Sequence, residues 1–159
     1  MSIKVLVSGA AGRMGREVVK AVAKDGDTEL VGAVDKNLAK QDAGELAGIG
    51  HLNLPLVDNL EAALKASGAN VAVDFSTPQS VRENINIMLG AGVCPVIGTT
   101  GLKENDLAEI NEQSLAAGVP VFIAPNFAIG AVLMMRFAAE CAKLFDYAEI
   151  IEYHHEKKI

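Results

Sequence analysis

Three glycines spaced three apart, Gly9, Gly12 and Gly15, come directly after the short apolar run Ile3–Val7. Glycine lets bare backbone approach a pyrophosphate, and a helix that starts at such a turn points the positive end of its dipole at the bound charge. Asp35 follows twenty positions after the last glycine, at the end of a second apolar run. A carboxylate there can accept hydrogen bonds from the ribose hydroxyls of an adenine dinucleotide. The glycine spacing alone is weak evidence, but its setting between a strand, a helix and an acidic residue predicts a dinucleotide-binding loop.

The residues beside this loop bear on which nicotinamide dinucleotide is used. Asp35 would repel a 2′-phosphate, so NADPH would need cations nearby. Arg13 and Lys36 are such cations, although Lys36 could equally be a solvated loop charge. We therefore expect NADH use with NADPH tolerated.

Small, polar or glycine residues also follow the later apolar runs. In an open parallel sheet the ligand lies beyond the C-terminal ends of the strands, so these residues are candidates for the same site. Gly98-Thr99-Thr100-Gly101 suits a nicotinamide ribose or a substrate carboxylate, or forms an ordinary turn with a threonine cap. Asn126 could orient a carboxamide, or bond its own backbone in a turn. Asp58-Asn59 and Thr77-Pro78 predict helix starts.

His154, His155, Lys157 and Lys158 form the densest group of proton donors in the chain. Successive side chains of a strand point to opposite faces, so only one histidine of the pair could face a substrate without a local bend. A solvated charged tail is the alternative interpretation. A zinc site is disfavoured because no carboxylate or cysteine spacing supports it, and we expect no metal. The group favours a cationic site for an anionic substrate, with an acid beside it.

The elements that must position these residues alternate between apolar strands and helix-like stretches. This alternation predicts an α/β protein with a Rossmann-type, doubly wound parallel sheet and helices on both faces. A helix is expected from Arg16 to Lys24, a loop with one short helix and a short strand between Lys36 and Val57, and an apolar helix over 128–145. The expected strands are Ile3–Val7, Glu29–Val34, Val71–Phe75, Val93–Ile97, Val119–Ala124 and Ala148–Tyr153.

Composition excludes several classes of protein. The 159 residues allow one complete α/β domain, half of the residues are apolar, and the net charge of −6 leaves no basic stripe for nucleic acid. Cys94 and Cys141 are too few for a disulfide framework, which favours a reducing, cytoplasmic location. The N-terminal apolar run is too short for a signal peptide, and the 128–145 helix carries three charges, so no membrane partner is expected.

Several motifs occur together and in one order, and they make the sequence resemble a known family. The chain resembles the 4-hydroxy-tetrahydrodipicolinate reductases (dihydrodipicolinate reductases) of bacterial lysine biosynthesis over essentially its whole length. The double histidine with a lysine three positions after its second member is the most unusual of them. The motifs are Gly-Ala-Ala-Gly-Arg-Met-Gly, Asp-Phe-Ser-Thr-Pro, Gly-Thr-Thr-Gly, Ala-Pro-Asn-Phe-Ala-Ile-Gly and Glu-Tyr-His-His-Glu-Lys-Lys.

The resemblance implies NADH- or NADPH-dependent reduction of a small cyclic dicarboxylate to tetrahydrodipicolinate for lysine and diaminopimelate. It places the acid/base histidine at His154, a substrate-carboxylate contact at His155 and the proton-donating lysine at Lys158. It implies a homotetramer for the full-length parent. The nucleotide contacts that it implies are Gly9, Ala10, Ala11, Gly12, Arg13, Met14, Asp35, Lys36, Gly98, Thr99, Thr100, Ala124, Pro125, Asn126 and Phe127.

The family's pattern continues beyond Ile159 with Asp-Ala-Pro-Ser-Gly-Thr, whose backbone grips a substrate carboxylate. We therefore expect an N-terminal fragment, with a dinucleotide-binding domain over 1–127 and the start of a truncated α+β substrate and oligomerisation domain over 128–159. Such a chain should bind NADH but turn over poorly. Two alternatives stay open at this point: an aspartate- or homoserine-type dehydrogenase with the same nucleotide domain, and a non-catalytic nucleotide-sensing module.

Overall fold

A five-stranded parallel sheet forms the centre of the first of two compact units, Met1–Pro125. This computed structural model describes residues 2–124 and 126–151. The order across the sheet is β2-β1-β3-β4-β5, so the chain winds away from β1 in one direction and then in the other. The reversal lies between β1 and β3, where open α/β sheets place their ligands. The strands are β1 (Ile3–Ser8), β2 (Thr28–Val34), β3 (Val71–Asp74), β4 (Cys94–Ile97) and β5 (Phe122–Ile123).

Helices cover both faces of this sheet, because successive residues of each buried strand point to opposite sides. Val5 and Val7 of β1 pack in one hydrophobic cluster with α1 and α2, whereas Leu6 packs in a second cluster with α3, α4 and α5. The doubly wound α/β prediction is therefore confirmed. The helices of this unit are α1 (Arg13–Lys24), α2 (Ala43–Ala47), α3 (Leu60–Ser67), α4 (Val81–Gly90) and α5 (Glu104–Ala117).

Strands β1 to β4 lie within one residue of their predicted bounds at each end, whereas α1 and β5 differ more. Helix α1 begins at Arg13 and not at Arg16, so Gly15 lies inside the helix. Strand β5 contains only Phe122 and Ile123, since only these two residues pair in register with β4. Apolar composition predicts that a strand exists, but ladder pairing decides where it starts and stops.

The segment after β2 contains the predicted short helix, α2, but isolated bridges replace the predicted strand. Val57 bridges Val34 in parallel at the open edge of β2, and Pro55 bridges Asp42. The buried carboxylate of Asp42 holds this segment together. It accepts the backbone N–H groups of Gly44, Glu45, Leu52 and Leu54 at 2.9, 3.1, 3.0 and 2.9 Å.

The second unit, Asn126–Ile159, contains one described helix, α6 (Ile129–Cys141). It is shorter than the predicted helix over 128–145, because residues 142–144 form turns. The strand predicted for Ala148–Tyr153 is wrong over 148–151, which form no strand, and its last two residues lie outside the described part of the chain. Among the described residues, no helix combines the length and apolarity needed to cross a membrane.

Asp42 makes the stability of its segment dependent on pH. Burial by itself would raise the pKa of this carboxyl, but the four backbone N–H donors outweigh it and lower the pKa from 3.8 to about 2. A carboxyl whose pKa is lower in the folded state stabilises fully above its unfolded pKa, and that stabilisation disappears as the pH falls through the folded pKa.

We predict that Asp42→Asn lowers the melting temperature at pH 7, because an amide nitrogen replaces one of the two accepting oxygens. The difference from wild type should be constant above a pH of about 4 and should shrink as the pH falls toward 2. Calorimetric scans between pH 2 and 7 measure it. Asp27→Asn, at an exposed carboxylate, is the control and should change little. A difference between Asp42→Asn and wild type that stays constant down to pH 2 would contradict this role.

Candidate functional site

The turn after β1 packs so tightly against β3 and α1 that a glycine in the turn and a glycine in the helix have no room for a side chain. Gly9 has φ of 75°, and a Cβ there would collide with the carbonyl group of Phe75 at the end of β3. A Cβ on Gly15, in the first turns of α1, would collide with the carbonyl oxygen of Gly9. Gly9 and Ala10 both donate N–H groups to the carbonyl of Val34, at 2.9 and 3.0 Å. The turn is thus seated between β2, β3 and α1.

The N-terminus of α1 is left open towards this turn. Its N-cap, Gly12, has no side chain to cap the helix, and its first turn contains no acidic residue. In contrast, Asp42 and Asn59 cap α2 and α3, and each of those helices has a glutamate in its first turn. Uncapped N–H groups at the positive end of a helix can bind an anion such as a pyrophosphate.

Asp35 ties the glycine turn to the end of β2. One carboxylate oxygen accepts the N–H of Ala11 at 3.1 Å, and the other accepts the N–H of Asn37 at 3.0 Å. Arg16 supports the same turn, because its Nε donates to the carbonyl of Ala11 at 2.8 Å. Each carboxylate oxygen can accept a second hydrogen bond, so Asp35 keeps capacity for a ribose diol.

A cavity of about 770 Å³ opens at this edge of the sheet, within the size range of small-molecule and cofactor sites. It brings together five of the predicted nucleotide contacts: Gly9, Ala11, Gly12, Asp35 and Lys36. The lining contains four carboxylates but one cation, Lys36. The lining also includes Ser8, Asp58, Asn59, Glu61, Phe75, Ser76, Thr77, Ser80, Glu83 and Asn84.

A buried hydrogen-bonded cluster lies behind the cavity wall and is centred on Asp74, the last residue of β3. Asp74 is 0% exposed. One of its carboxylate oxygens accepts the N–H and the hydroxyl of Ser76 at 3.0 and 2.7 Å, and the Thr99 hydroxyl at 2.6 Å. The other oxygen accepts the Asn84 amide at 2.8 Å. Asp74 therefore links the ends of β3 and β4 with helix α4.

The predicted nicotinamide-side residues Gly98 and Thr99 sit in tight packing. A Cβ on Gly98 would collide with the ring of Phe75, and the N–H of Gly98 donates to the Asp74 carbonyl at 2.9 Å. Thr99 is buried and Thr100 is exposed. The N–H of Ala124 donates to the Ile97 carbonyl at 3.1 Å, at the end of β5.

Other predicted contacts do not line the cavity. Ala10 is buried, whereas Arg13 and Met14 are exposed in the first turn of α1. Asn126 and Phe127 belong to the second unit, where the Asn126 side chain accepts the N–H of Ala128 at 2.8 Å, the local bond considered above. Pro125, His154, His155 and Lys158 lie outside the described residues. Among residues 2–124 and 126–151, no three His, Cys, Asp or Glu side chains form a group that could hold a metal ion.

Several cavity residues were not predicted as site residues. Asp58 and Asn59 precede α3, and Thr77, Ser80 and Asn84 lie at the start of α4. The sequence identified Asp58-Asn59 only as a helix start, and it identified Thr77 both as a residue that follows the third strand and as a helix start. The second helix start was also misplaced, because Ser80 is the N-cap of α4, three residues after Thr77. A signal in the sequence could have identified these residues, because helix starts that follow strand ends lie at the edge of the sheet where ligands bind.

The matches to known proteins agree with this geometry. The family model described as "Dihydrodipicolinate reductase, N-terminus" matches residues 3–127. The chain is 51% identical over 158 residues to the 4-hydroxy-tetrahydrodipicolinate reductase of Desulfitobacterium hafniense strain DSM 10664, and 46% identical over 162 residues to that of Picosynechococcus sp. PCC 7002. These alignments cover 99% and 98% of this chain and 59% of each relative. The chain thus spans about three-fifths of the length of the curated relatives it matches.

A solved structure gives the same picture. The dipicolinate-bound dihydrodipicolinate reductase of Paenisporosarcina sp. TG-14 is similar with a TM-score of 0.81 and 36% identity, over 100% of this chain and 60% of that one. GenD2 of gentamicin A biosynthesis, solved in complex with NAD, is similar with a TM-score of 0.71 at 19% identity, over 89% of this chain and 40% of that one. The second similarity is one of fold alone.

We predict that Gly15→Ala destabilises the protein by about 1–3 kcal/mol, because its methyl group would displace the glycine turn from α1. The matched control is Gly26→Ala, where a Cβ would meet nothing within 4 Å. That control should be neutral or stabilising by up to about 1 kcal/mol. Urea denaturation measures the stability of both variants. Equal denaturation midpoints for the two would contradict this prediction, because they would show that the turn can accommodate a methyl group at position 15.

Proposed function

Because the chain belongs to the dihydrodipicolinate reductase family, we propose that its protein is a 4-hydroxy-tetrahydrodipicolinate reductase of lysine and diaminopimelate biosynthesis. The observation that carries this proposal is the 51% identity to such a reductase across 99% of the chain. Curated relatives at 44–51% identity carry the same name, which gives no support to an aspartate or homoserine dehydrogenase. The relative solved with dipicolinate supports a small cyclic dicarboxylate as substrate.

In this proposal the cavity binds NADH or NADPH, which supplies a hydride when bound. The backbone N–H groups at the uncapped start of α1, those of Arg13 and Met14, hold the pyrophosphate. The N–H groups from Gly9 to Gly12 instead bond within the turn and to β2 and Asp35, and so shape it. Asp35 accepts the adenosine ribose hydroxyls with its remaining lone pairs. The family motifs assign the remaining nucleotide contacts to Gly98, Thr99, Thr100, Ala124, Pro125, Asn126 and Phe127.

The roles of the C-terminal residues rest on the family motif. His155 and the neighbouring cations hold the substrate carboxylates, and Lys158, assisted by His154, returns a proton to the reduced ring. We further propose that residues 1–127 form the dinucleotide domain and that 128–159 belong to a substrate and oligomerisation domain of a cytoplasmic homotetramer. Neither nucleic acid nor membrane is a partner in this proposal.

The proposed chemistry predicts that Lys158→Ala lowers kcat of the full-length protein by on the order of 100-fold or more, as expected for loss of a proton donor. The matched control is Lys157→Ala, which removes a neighbouring lysine and should leave kcat within a few-fold of wild type. Both variants should bind NADH normally in fluorescence titrations, because the family motifs assign neither residue to nucleotide binding. Equal rates for Lys158→Ala and Lys157→Ala would contradict the catalytic role and would favour the nucleotide-sensing alternative.

The cavity lining also predicts how the two dinucleotides differ. Four carboxylates and one lysine line it, so NADH should bind more tightly than NADPH. Lys36→Ala should weaken NADPH binding by about two- to fivefold, the size expected for an exposed ion pair, and should leave NADH binding unchanged. Lys24→Ala, at the opposite end of α1, is the control. An equal loss of both dinucleotides in Lys36→Ala would show that Lys36 does not contact the 2′ position.

A further inference from the structure

The cluster around Asp74 fixes the direction of hydrogen bonds in the cavity wall. A carboxylate only accepts hydrogen bonds, so the Ser76 hydroxyl must donate its single hydrogen to Asp74, at 2.7 Å. The Asn84 amide, which donates to Asp74, also donates to the Ser76 oxygen at 3.2 Å. No ion pair of Asp74 occurs within the part of the chain that the structure describes.

The hydroxyls of Ser80 and Thr77 continue this chain of hydrogen bonds outward from Ser76, and each donates towards Asp74. Ser80 donates either to the Ser76 oxygen at 3.1 Å or to the Thr77 carbonyl at 3.3 Å, and both of these partners accept. The remaining bond of the row joins the hydroxyls of Thr77 and Ser80 at 3.0 Å. Either hydroxyl could donate in this bond taken alone. Because the Ser76 hydrogen is committed to Asp74, the 3.1 Å contact between Ser80 and Ser76 is a hydrogen bond only if Ser80 donates, and Thr77 is then the donor to Ser80. All three hydrogens therefore point inward, from exposed Thr77 towards buried Asp74.

We call the three hydroxyl residues Thr77, Ser80 and Ser76 the hydroxyl row. All three line the cavity. Because their hydrogens are committed, the row presents only lone pairs to a ligand. The carboxylates of Asp58, Glu61 and Glu83 line the same cavity and also only accept. This part of the wall therefore suits a ligand group that donates hydrogens, and it disfavours a carbonyl or a phosphate.

We propose that the hydroxyl row, oriented by Asp74, recognises the exocyclic amine of adenine and makes the site selective for adenine over hypoxanthine dinucleotides. The inference rests on the proposed dinucleotide-binding function. The uncapped start of α1 is assigned to the pyrophosphate and Asp35 to the ribose, so the wall formed by the starts of α3 and α4 is left for the base. Adenine offers a donor amine there, whereas hypoxanthine offers a carbonyl that would face lone pairs.

The test compares NADH with reduced nicotinamide hypoxanthine dinucleotide, whose base differs in this one group. Binding to the 159-residue chain is followed by the fluorescence of the dihydronicotinamide. Wild type should bind NADH about five- to tenfold more tightly, the size of one hydrogen bond. Thr77→Val, which keeps the shape and removes the lone pairs, should bring the affinity ratio close to one by weakening NADH alone.

Two further variants separate recognition from stability. Thr77→Ser keeps the hydroxyl and should keep the wild-type ratio. Thr28→Val removes a hydroxyl that donates to the Val22 carbonyl at 3.0 Å at the start of β2, so it should change stability but not the ratio. Because Thr77 is exposed, its substitution should not prevent folding.

The outcomes distinguish this inference from the proposed function. If wild type binds both dinucleotides equally, or if Thr77→Val keeps the wild-type ratio, recognition by the hydroxyl row is wrong while dinucleotide binding stands. If wild type binds neither dinucleotide, the proposed function of the cavity fails, and the inference fails with it.

Discussion

The contact between the glycine turn and its surroundings is the constraint on which the candidate site depends. Gly9 presses against the end of β3 and Gly15 presses against Gly9, with no space for a Cβ at either position. This contact fixes the distance between β1, β3 and the start of α1. The uncapped N-terminus of α1 and the carboxylate of Asp35 can face one ligand only because that distance is short. A slightly larger residue would therefore disturb the helix, the turn and the sheet edge together.

Two buried carboxylates, Asp42 and Asp74, organise the loops around this contact in the same physical way. The main partners of both carboxylates are hydrogen-bond donors and not cations. Each carboxylate accepts four hydrogen bonds from N–H or hydroxyl groups. Charge-assisted bonds of this kind offset the cost of removing a carboxylate from water. Asp42 fixes the segment beside β2, and Asp74 fixes the ends of β3 and β4. The loops at the ligand edge are thus held by hydrogen bonds and the sheet behind them by apolar packing.

The sequence predicted those site residues whose position depends only on the elements next to them along the chain. Gly9, Gly12, Asp35 and Lys36 were predictable because each directly follows an apolar strand. Asn84 was not, since it lies on α4 and reaches the cavity only because β3 lies beside β1 in the sheet. The strand order is set by crossovers that leave no local pattern. The Asp74 cluster was missed for the same reason, because Thr99 is 25 positions away along the chain. The strand expected over Ala148–Tyr153 shows the converse in its described part, 148–151, since apolar composition alone does not produce a ladder.

The division of labour between backbone and side chains explains how an acidic cavity can suit a nucleotide that carries phosphates. Side chains that line the cavity contribute four carboxylates and one lysine, so they repel rather than attract phosphate. Attraction must come from the backbone N–H groups at the uncapped start of α1 and from the dipole of that helix, both of which act over a few ångströms. In the proposed function the pyrophosphate is then confined to one place, and the acceptor-rich wall remains for the hydroxyl and amine donors of the adenosine. A cavity of this polarity would orient a dinucleotide along its length. With either end of the dinucleotide in the wrong position, like charges or two hydrogen-bond acceptors would face each other.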